Sequence, residues 1–421
     1  MDGNYTDLHL YNTMSRSKEI FRPLEAGRVR IFTCGPSIYQ RPHVGNYRTF
    51  LFEDVLVRYL EYRGLHVDRI INFTDVEDKA IAEAEKEGKT LQDLTGRAGD
   101  RFFEDAALLQ LKLPEVIPRS STTVDEAVRL IQILLDKGYA YWDKGDVFFQ
   151  PLKFAGFGKL FRLDMSRWPK TTRRFRKDTY PGVRWNLGDF ILWHGCKPGE
   201  TIYWETVIGR GRPAWNIQDP AIISQYLGFR IDIHCGGSDN VYRHHDYNIA
   251  VMESVSGEEL APFWLHGEHL LLDGKKMSKS LGNIVYVDDL AAKGAKPEHI
   301  RFYLIYGWHR EKLNLTQSDF DAKAAKLDNF RGMVGDLLSG YSGSGESAAT
   351  VEELISGMTQ GFESAMNDAL HVGRAFDSLY ESVSKLSNLK KDGRLAEKDG
   401  KRIESDLRRI DGVLHVIFPQ A

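Results

Sequence analysis

Two consecutive segments near the N-terminus each combine an apolar strand pattern with a helix pattern, and this order constrains the fold most strongly. Residues 28–35, RVRIFTCG, form a short apolar run that ends in glycine, and residues 46–64, NYRTFLFEDVLVRYLEYRG, repeat apolar residues at helical spacing. Residues 67–88, VDRIINFTDVEDKAIAEAEKEG, repeat the same scheme. Successive strand-to-helix units favour a parallel, doubly wound sheet, whose ligands bind beyond the carboxyl ends of the strands.

The rest of the chain predicts an insertion into this sheet and a helical end. A helix pattern at 123–138 and a hairpin pattern at 139–151 precede a basic stretch at 166–185, and the sheet resumes near 229–240. Beyond residue 295 the pattern is helical, interrupted by the flexible linker composition SGYSGSGESAAT. The predicted fold class is α/β: residues 1–90 and 211–295 form the halves of a Rossmann-like catalytic domain, 91–210 an α/β insertion, and 296–421 a C-terminal helical bundle.

The composition indicates a cytoplasmic protein that works away from membranes. The 421 residues are 42% hydrophobic and carry a net charge of -3. No run of about 18 apolar residues predicts a membrane span, and the N-terminus has no secretory pattern. Cys34, Cys196 and Cys235 are too few for a disulfide framework. Because the net charge is small, binding of nucleic acid needs local basic patches, and the stretch 166–185 is either such a patch or a solvated loop.

Two short motifs have the chemistry of phosphate binding. In PHVGN, His43 and Gly45 lie at a predicted helix N-terminus, where free backbone amides attract anions and glycine lets a ligand approach. In LLLDGKKMSKSLGN, residues 270–283, a lysine-rich loop is either a solvated surface or a loop that closes over a triphosphate. Each motif alone fits an ordinary turn, and the combination favours a nucleotide site.

HVGN and KMSKS, in this order and flanking a doubly wound sheet, resemble the signature of class I aminoacyl-tRNA synthetases. The blocks CGPSIYQRPHVGNYR, INFTDVEDKAI and DIHCGGSDNVYRHHDYNIA resemble the cysteinyl-tRNA synthetases in particular. The resemblance implies a ligase that uses ATP and Mg²⁺ to form an aminoacyl adenylate and then passes the aminoacyl group to tRNA. It implies that ATP is bound by His43, Gly45, Asn46, Gly236, Asp239, Lys276 and Lys279, of which His43, Asn46, Lys276 and Lys279 are catalytic.

The resemblance also implies an amino acid pocket, and there this sequence departs from the family. The implied pocket residues are Cys34, Thr74, Trp215, Asp219, His244 and Asn248. In the family, two cysteines, a histidine and a glutamate hold zinc, which binds the substrate thiolate. Cys34 and His244 match, whereas Asp219 replaces the second cysteine and Asn248 replaces the glutamate. Aspartate is an acceptable zinc ligand, and the amide oxygen of asparagine is a poor one.

Three interpretations of this pocket remain open. In the first, zinc binds through Cys34, Asp219 and His244 with an open position. In the second, Cys235 or Asp246 supplies a substitute ligand. In the third, the metal is lost and the activated amino acid is not cysteine, because a buried Asp219 carboxylate then needs a cationic or hydroxyl-bearing partner.

The acceptor of the aminoacyl group is also open. The family usually continues into a small anticodon-reading domain, whereas this chain ends at Ala421, so anticodon reading is in doubt. A ligase similar to cysteinyl-tRNA synthetases, which joins an activated amino acid to a sugar amine, shares this absence. We therefore consider a tRNA ligase, a paralogue with a small-molecule amine or alcohol as acceptor, and a non-catalytic binding module. The complete phosphate-binding set argues against the third.

Overall fold

The computed structural model describes residues 7–177, 187–278, 281–340 and 349–418. The strands are β1 His9–Asn12, β2 Ser17–Ile20, β3 Arg28–Thr33, β4 His66–Ile71, β5 Ala140–Asp143, β6 Asp146–Phe149, β7 Arg174–Phe175, β8 Asp189–Gly195, β9 Trp204–Thr206, β10 Gly209–Pro213, β11 Ile233–Gly237, β12 Phe263–Gly267, β13 Leu270–Leu272, β14 Lys275–Lys276 and β15 Leu313–Leu315. The helices are α1 Val44–Tyr62, α2 Asp78–Glu87, α3 Leu91–Leu108, α4 Val124–Asp136, α5 Trp215–Tyr226, α6 Asp246–Ser256, α7 Val287–Ala292, α8 Pro297–Ile305, α9 Gln317–Leu338, α10 Ala349–Asn367, α11 Val372–Lys391 and α12 Glu397–Leu414.

A parallel sheet of four strands, in the order β12-β11-β3-β4, forms the centre of the catalytic part. The chain builds outward from the central pair in both directions, from β3 to β4 and from β11 to β12. The topological switch point therefore lies between β3 and β11, where a doubly wound sheet binds its ligands. The predicted α/β class with a Rossmann-like parallel sheet is confirmed.

Helix α1 links this sheet to the C-terminal helices. Apolar residues occur on nearly all of its faces, and thirteen of its residues are buried, as expected for a helix enclosed on both sides. Arg301 of α8 donates to Asp54 of α1 at 2.6 Å, and both side chains are buried. A buried ion pair of this kind fixes the position of α1 relative to the helical part.

The insertion is built on an antiparallel sheet. Its strands follow the order β5-β6-β8-β10-β9, and β7 pairs with β8 in parallel. The predicted hairpin is present as β5 and β6, joined by Lys144 and Gly145, which both have positive φ as a tight two-residue turn requires. The predicted basic stretch at 166–185 is described only up to residue 177, and the rest of it lies outside the described residues.

The end of the chain is helical from α8 to α12, as the sequence predicts, except for the short strand β15, which pairs with β13. Phe330 of α9 packs against Phe376 of α11, with ring centroids 4.8 Å apart. Most of the Gly/Ser-rich segment, residues 341–348, lies outside the described residues. Among the described residues, no helix is long and apolar enough to cross a lipid bilayer. The domain borders at residues 90, 210 and 295 stay predictions.

Candidate active site

A cavity of about 390 Å³ opens at the carboxyl ends of β3 and β11, at the switch point of the sheet. The loop after β3, the start of α1, the turn after β11 and the first residue of α5 surround it. Its lining residues are Pro36, Ser37, Tyr39, Gln40, Arg41, Pro42, Asn46, Glu77, Lys79, Trp215, Asp239, Asn240, Tyr242, Arg243 and His244. Residues of the predicted nucleotide site and of the predicted amino acid pocket therefore line the same cavity.

The N-terminus of α1 forms one wall of this cavity. His43 is the N-cap, and its backbone N–H donates to Oδ1 of Asn46 at 3.0 Å. The first turn of α1 contains no acidic residue, so its free amides and the helix dipole favour an anion. Burial lowers the pKa of His43, and the Lys276 charge acts in the same direction. The imidazole is therefore neutral near pH 7.

Gly45 lets the lysine loop approach α1 closely. A Cβ atom at this position would lie 2.9 Å from Cε of Met277 and 3.0 Å from Nδ1 of His43. Met277 belongs to the KMSKS sequence, so the two predicted phosphate-binding motifs are in direct contact around this glycine. The glycine is needed here because of its missing side chain, not because of its backbone conformation.

The lysine loop follows the hairpin β13–β14. Nζ of Lys276 lies 3.3 Å from Oδ2 of Asp239, which follows β11. Asn283 braces the loop, because its side chain accepts from the backbone of Ser278 at 2.9 Å and donates to the carbonyl of Lys276 at 3.2 Å. Lys279, predicted to be catalytic, lies outside the described residues.

Gly236, predicted to contact ATP, lies at the end of β11 beside the pocket histidines. A Cβ atom there would lie 2.7 Å from Cε1 of His245. Its lack of a side chain therefore makes room for His245, and the structure gives this glycine a packing role.

Cys34 is buried behind the cavity wall, where it contacts Asp219, the partner of the lining residue His244. Its Sγ atom is 3.5 Å from Oδ2 of Asp219 and 3.1 Å from Nε2 of His245. Burial raises the pKa of the Cys34 thiol well above its ordinary value, and the Asp219 charge acts in the same direction. In the absence of a metal the thiol is therefore protonated.

Asp219 is the centre of the pocket and contacts four side chains. His244 places Nε2 at 2.7 Å from Oδ2, and Asn72 donates to Oδ1 at 2.9 Å. Asn248 donates to Oδ2 at 3.4 Å. Burial acts to raise the pKa of Asp219, but the charge and hydrogen bond of His244 outweigh it and hold that pKa below its ordinary value. Asp219 is therefore ionised near pH 7.

The other predicted pocket residues lie at different depths. Trp215 stacks on His244, with ring centroids 4.1 Å apart and planes 7° from parallel, and both residues line the cavity. Thr74 is one step further away: its hydroxyl lies 3.4 Å from Nδ2 of Asn72, which in turn holds Asp219. All six predicted pocket residues thus belong to one connected cluster.

The pocket contains two groups of residues that could hold a metal ion, and Cys34 belongs to both. Cys34, Asp219 and His244 form the first group, and Cys34, His234 and His245 form the second; in each, the three ligand atoms lie within 4.8 Å of one another. The first group offers sulfur, oxygen and nitrogen, the donor types that zinc accepts. The residues present therefore fit a three-ligand site.

The substitute ligands considered from sequence, Cys235 and Asp246, belong to neither group. Cys235 is fully buried in the hydrophobic core. The carboxylate of Asp246 accepts from the backbone amides of Leu160 and Phe161 at 3.0 and 3.1 Å, so it holds the insertion loop instead.

The sequence reasoning missed the role of Asn72 and underestimated His245. Asn72 joins the two sides of the pocket, because its Oδ1 atom accepts from the backbone of Gly35 while its Nδ2 atom donates to Asp219. Its position directly after β4, at the carboxyl end of a strand, was the available signal. His245, which is not among the predicted pocket residues, touches the Cys34 thiol and reaches His266 at 2.7 Å.

Comparison with known proteins agrees with this geometry. Residues 20–325 match the family described as the tRNA synthetases class I (C) catalytic domain. The cysteine-tRNA ligase of Chlamydia pneumoniae is 36% identical over 97% of this chain and 86% of its own, and that of Bacillus cereus strain AH820 is 36% identical over 89% and 80%.

Solved structures extend the likeness to the fold. Mycobacterium tuberculosis methionyl-tRNA synthetase in complex with methionyl-adenylate aligns with a TM-score of 0.68 over 93% of this chain and 90% of its own, at 17% identity. Use of ATP is a property of this family. The chain therefore belongs to the class I aminoacyl-tRNA synthetases, an enzyme family of ligases, and is similar within it to the cysteine-tRNA ligases.

Proposed function

We propose that this enzyme activates cysteine with ATP and transfers the cysteinyl group to tRNA in the cytoplasm. The cysteine carboxylate attacks the α-phosphate, pyrophosphate leaves, and the terminal ribose hydroxyl of the tRNA then displaces AMP from the adenylate. One observation carries the proposal: the N-terminus of α1 and the side chain of His244, which contacts Asp219, line one cavity. A phosphate at the helix and an amino acid side chain at the pocket then meet in one site.

The nucleotide side acts by positioning and by charge. His43 is neutral near pH 7, so its imidazole can donate an N–H to a phosphate oxygen while the amides of α1 bind the same anion. Nζ of Lys276 lies 3.3 Å from Oδ2 of Asp239, which lines the cavity, and Lys279 follows three positions later in the sequence. Their charges are suited to the leaving pyrophosphate, and Mg²⁺, when bound, neutralises further phosphate charge.

The amino acid side selects the thiol. Zinc held by Cys34, Asp219 and His244 would offer an open position to a thiolate, and zinc prefers sulfur to the hydroxyl of serine. Asn72 fixes the orientation of the Asp219 carboxylate through Oδ1, leaving Oδ2 turned toward Cys34 and His244. Trp215 holds the imidazole plane of His244 by stacking. Such outer contacts set the direction of ligand atoms.

Charging of tRNA tests this function directly. Incubation with ATP, radiolabelled cysteine and total tRNA should give acid-precipitable cysteinyl-tRNA, and His43→Ala should reduce it by about a hundredfold because the phosphate loses a positioned donor. His66→Ala is the matched control, since His66 is exposed and lies at the amino end of β4. Formation of the adenylate without any labelled tRNA would refute the tRNA step and leave activation standing.

A second candidate function follows from the contacts of Asp219. In the structure, protein groups alone satisfy this carboxylate, with Asn72, His244 and Asn248 within hydrogen-bond distance. A pocket whose carboxylate has these partners is stable without a metal. A paralogue that activates another amino acid and transfers it to a small-molecule amine or alcohol would need such a pocket. Activation of a different amino acid by metal-free enzyme would favour this candidate.

A further inference from the structure

Three arginines from different parts of the chain lie together beside the cavity. Arg16, in the turn between β1 and β2, donates to the carbonyl of Leu160 at 3.0 Å. Arg162, in the insertion, donates to the carbonyl of Ser15 at 2.8 Å. Arg310, which follows α8, places its guanidinium carbon 4.1 Å from the ring centroid of Tyr11 in β1. We call Arg16, Arg162 and Arg310 the arginine cluster.

The charges of the arginine cluster have no ion-pair partner among the described residues. Within the described part of the chain, none of the three forms a salt bridge, although most other arginines there do. Nε of Arg310 is buried and has no hydrogen-bond partner. Burial lowers the pKa of Arg16, and the like charges of Arg162 and Arg310 lower it further. Such a cluster is the electrostatic footprint of a site for anions.

The carboxylate of Asp246 also acts on Arg16, in the opposite direction. It is no ion-pair partner, because its two oxygens accept from the backbone amides of Leu160 and Phe161. A single carboxylate can offset at most one of the three guanidinium charges. The cluster therefore keeps an excess of positive charge.

The backbone at two of these positions is strained. Arg16 has a φ of 66° and Arg162 a φ of 62°, in the left-handed region that favours glycine or asparagine. An arginine there is less favourable than either of those residues, so the fold tolerates it at a cost in stability. Strain of this kind is typical of positions that serve binding.

The arginine cluster continues into the wall of the active-site cavity. Phe161, next to Arg162, packs on Tyr242 with ring centroids 4.9 Å apart. Tyr242 and Arg243 both line the cavity. A strand that enters the cavity past Tyr242 would therefore pass Phe161 and then the three guanidinium groups. Aromatic rings next to arginines suit a single strand, which offers bases to stack and phosphates to bind.

We propose that the arginine cluster binds the phosphodiester backbone of the acceptor strand just before its 3′ end and so guides the terminal nucleotide into the cavity. The inference rests on the proposed function, because it assigns the path of the tRNA acceptor. Guanidinium groups bind phosphate through two parallel hydrogen bonds, and a neutral residue of similar length lacks this geometry.

Binding of a fluorescent RNA minihelix with a single-stranded CCA end tests the cluster, with ATP-pyrophosphate exchange measured on the same preparations. Arg16→Gln and Arg310→Gln should each raise the dissociation constant about tenfold and reduce the salt dependence, log Kd against log salt, by about one. Pyrophosphate exchange should stay within about twofold, since none of the three arginines is among the described residues that line the active-site cavity. Arg310 donates no described hydrogen bond to the protein, so its variant keeps the fold even if Arg16→Gln does not.

The control variant is Arg230→Gln. Arg230 is exposed, has no ion pair among the described residues and precedes β11, at the end of the sheet away from the cavity. The Arg230→Gln variant loses the same charge as the cluster variants, but it should bind the minihelix as tightly as the original protein. Equal binding by the cluster variants would overturn the proposal and leave the tRNA ligase function intact. Failure of the original protein to bind the minihelix, with exchange intact, would overturn both the cluster and the tRNA acceptor.

Discussion

Nε2 of His244 lies 2.7 Å from Oδ2 of Asp219, so the aspartate that replaces a family cysteine contacts the histidine that the family keeps. Sγ of Cys34 lies 3.5 Å from the same oxygen. Three different donor atoms thus surround one point in the pocket. The substitution changes the kind of ligand without removing the possibility of a three-ligand site.

Asp219→Asn should abolish retention of zinc. The variant keeps the shape of the side chain but loses the anionic ligand. Loss of an outer contact lowers metal affinity by about ten- to hundredfold, and loss of a direct ligand should lower the zinc affinity by more than that. The double variant Asp219→Cys with Asn248→Glu should retain zinc more tightly, because it adds a thiolate and a carboxylate. Metal content after dialysis measures both changes. Equal zinc in Asp219→Asn and the original protein would place the metal elsewhere.

Asn72→Ala should weaken use of the amino acid and leave use of ATP unchanged. Asn72 bonds both the Gly35 backbone and Asp219, so its loss frees the carboxylate and leaves the partly buried amide N–H of Gly35 without this partner, at a cost of about 1 kcal/mol. Pyrophosphate exchange should therefore show a higher KM for the amino acid. A selective rise in the KM for ATP would contradict this role.

Gly45→Ala should reduce pyrophosphate exchange by about a hundredfold, because the new methyl group displaces Met277 or His43 and a shift of about 1 Å has that effect. The matched control is Gly96→Ala in α3, where the methyl group meets no atom within 4 Å. The control should be as active as the original protein and slightly more stable. Equal activity of the two alanine variants would show that the lysine loop does not need to approach α1.

Acid should destabilise the protein through its buried histidines. Burial lowers the pKa of His234 and of His309 to about 3, and that of His415 to about 4, from an ordinary value of 6.5. Between the folded and the unfolded pKa values, the unfolded chain binds more protons than the folded one. The contribution of these neutral histidines to the free energy of unfolding is therefore fully present above pH 6.5 and is lost as the pH falls. Each such histidine adds a slope of about 1.4 kcal/mol per pH unit.

Urea unfolding between pH 7.5 and 5 measures this slope. His309→Phe should reduce the slope of unfolding free energy against pH by the equivalent of about one proton, because the new ring keeps the stack on Phe52 and removes the titrating group. An unchanged slope in this variant would show that His309 is accessible to protons in the folded state.

The sequence was sufficient for the elements that depend on local periodicity. The patterns around β3, α1, β4 and α2 each span one strand or one helix, and the parallel direction of the sheet follows from the repeated strand-to-helix unit. The phosphate-binding motifs were found for the same reason, since PHVGN and KMSKS are each continuous in sequence.

The pocket depends on contacts between distant residues, which periodicity does not encode. Cys34 and Asp219 are 185 positions apart, and Cys34 and His245 are 211 apart. The family resemblance supplied Cys34, Asp219 and His244, but the contact of His245 with the thiol and the bridging position of Asn72 required the fold. Local periodicity also could not predict that β8 pairs with β6 and β10 in antiparallel fashion, because these strands are separated in sequence.

ATP-pyrophosphate exchange with each of the twenty amino acids, with and without added zinc, tests the central claim most directly. The proposed arrangement of Cys34, Asp219 and His244 predicts exchange that depends on cysteine, increases with zinc and is lost with a chelator, because the thiolate needs the metal for recognition. Exchange driven by another amino acid, or by cysteine in chelated protein at the same rate, would contradict it and show that the pocket around Asp219 recognises its substrate without a metal.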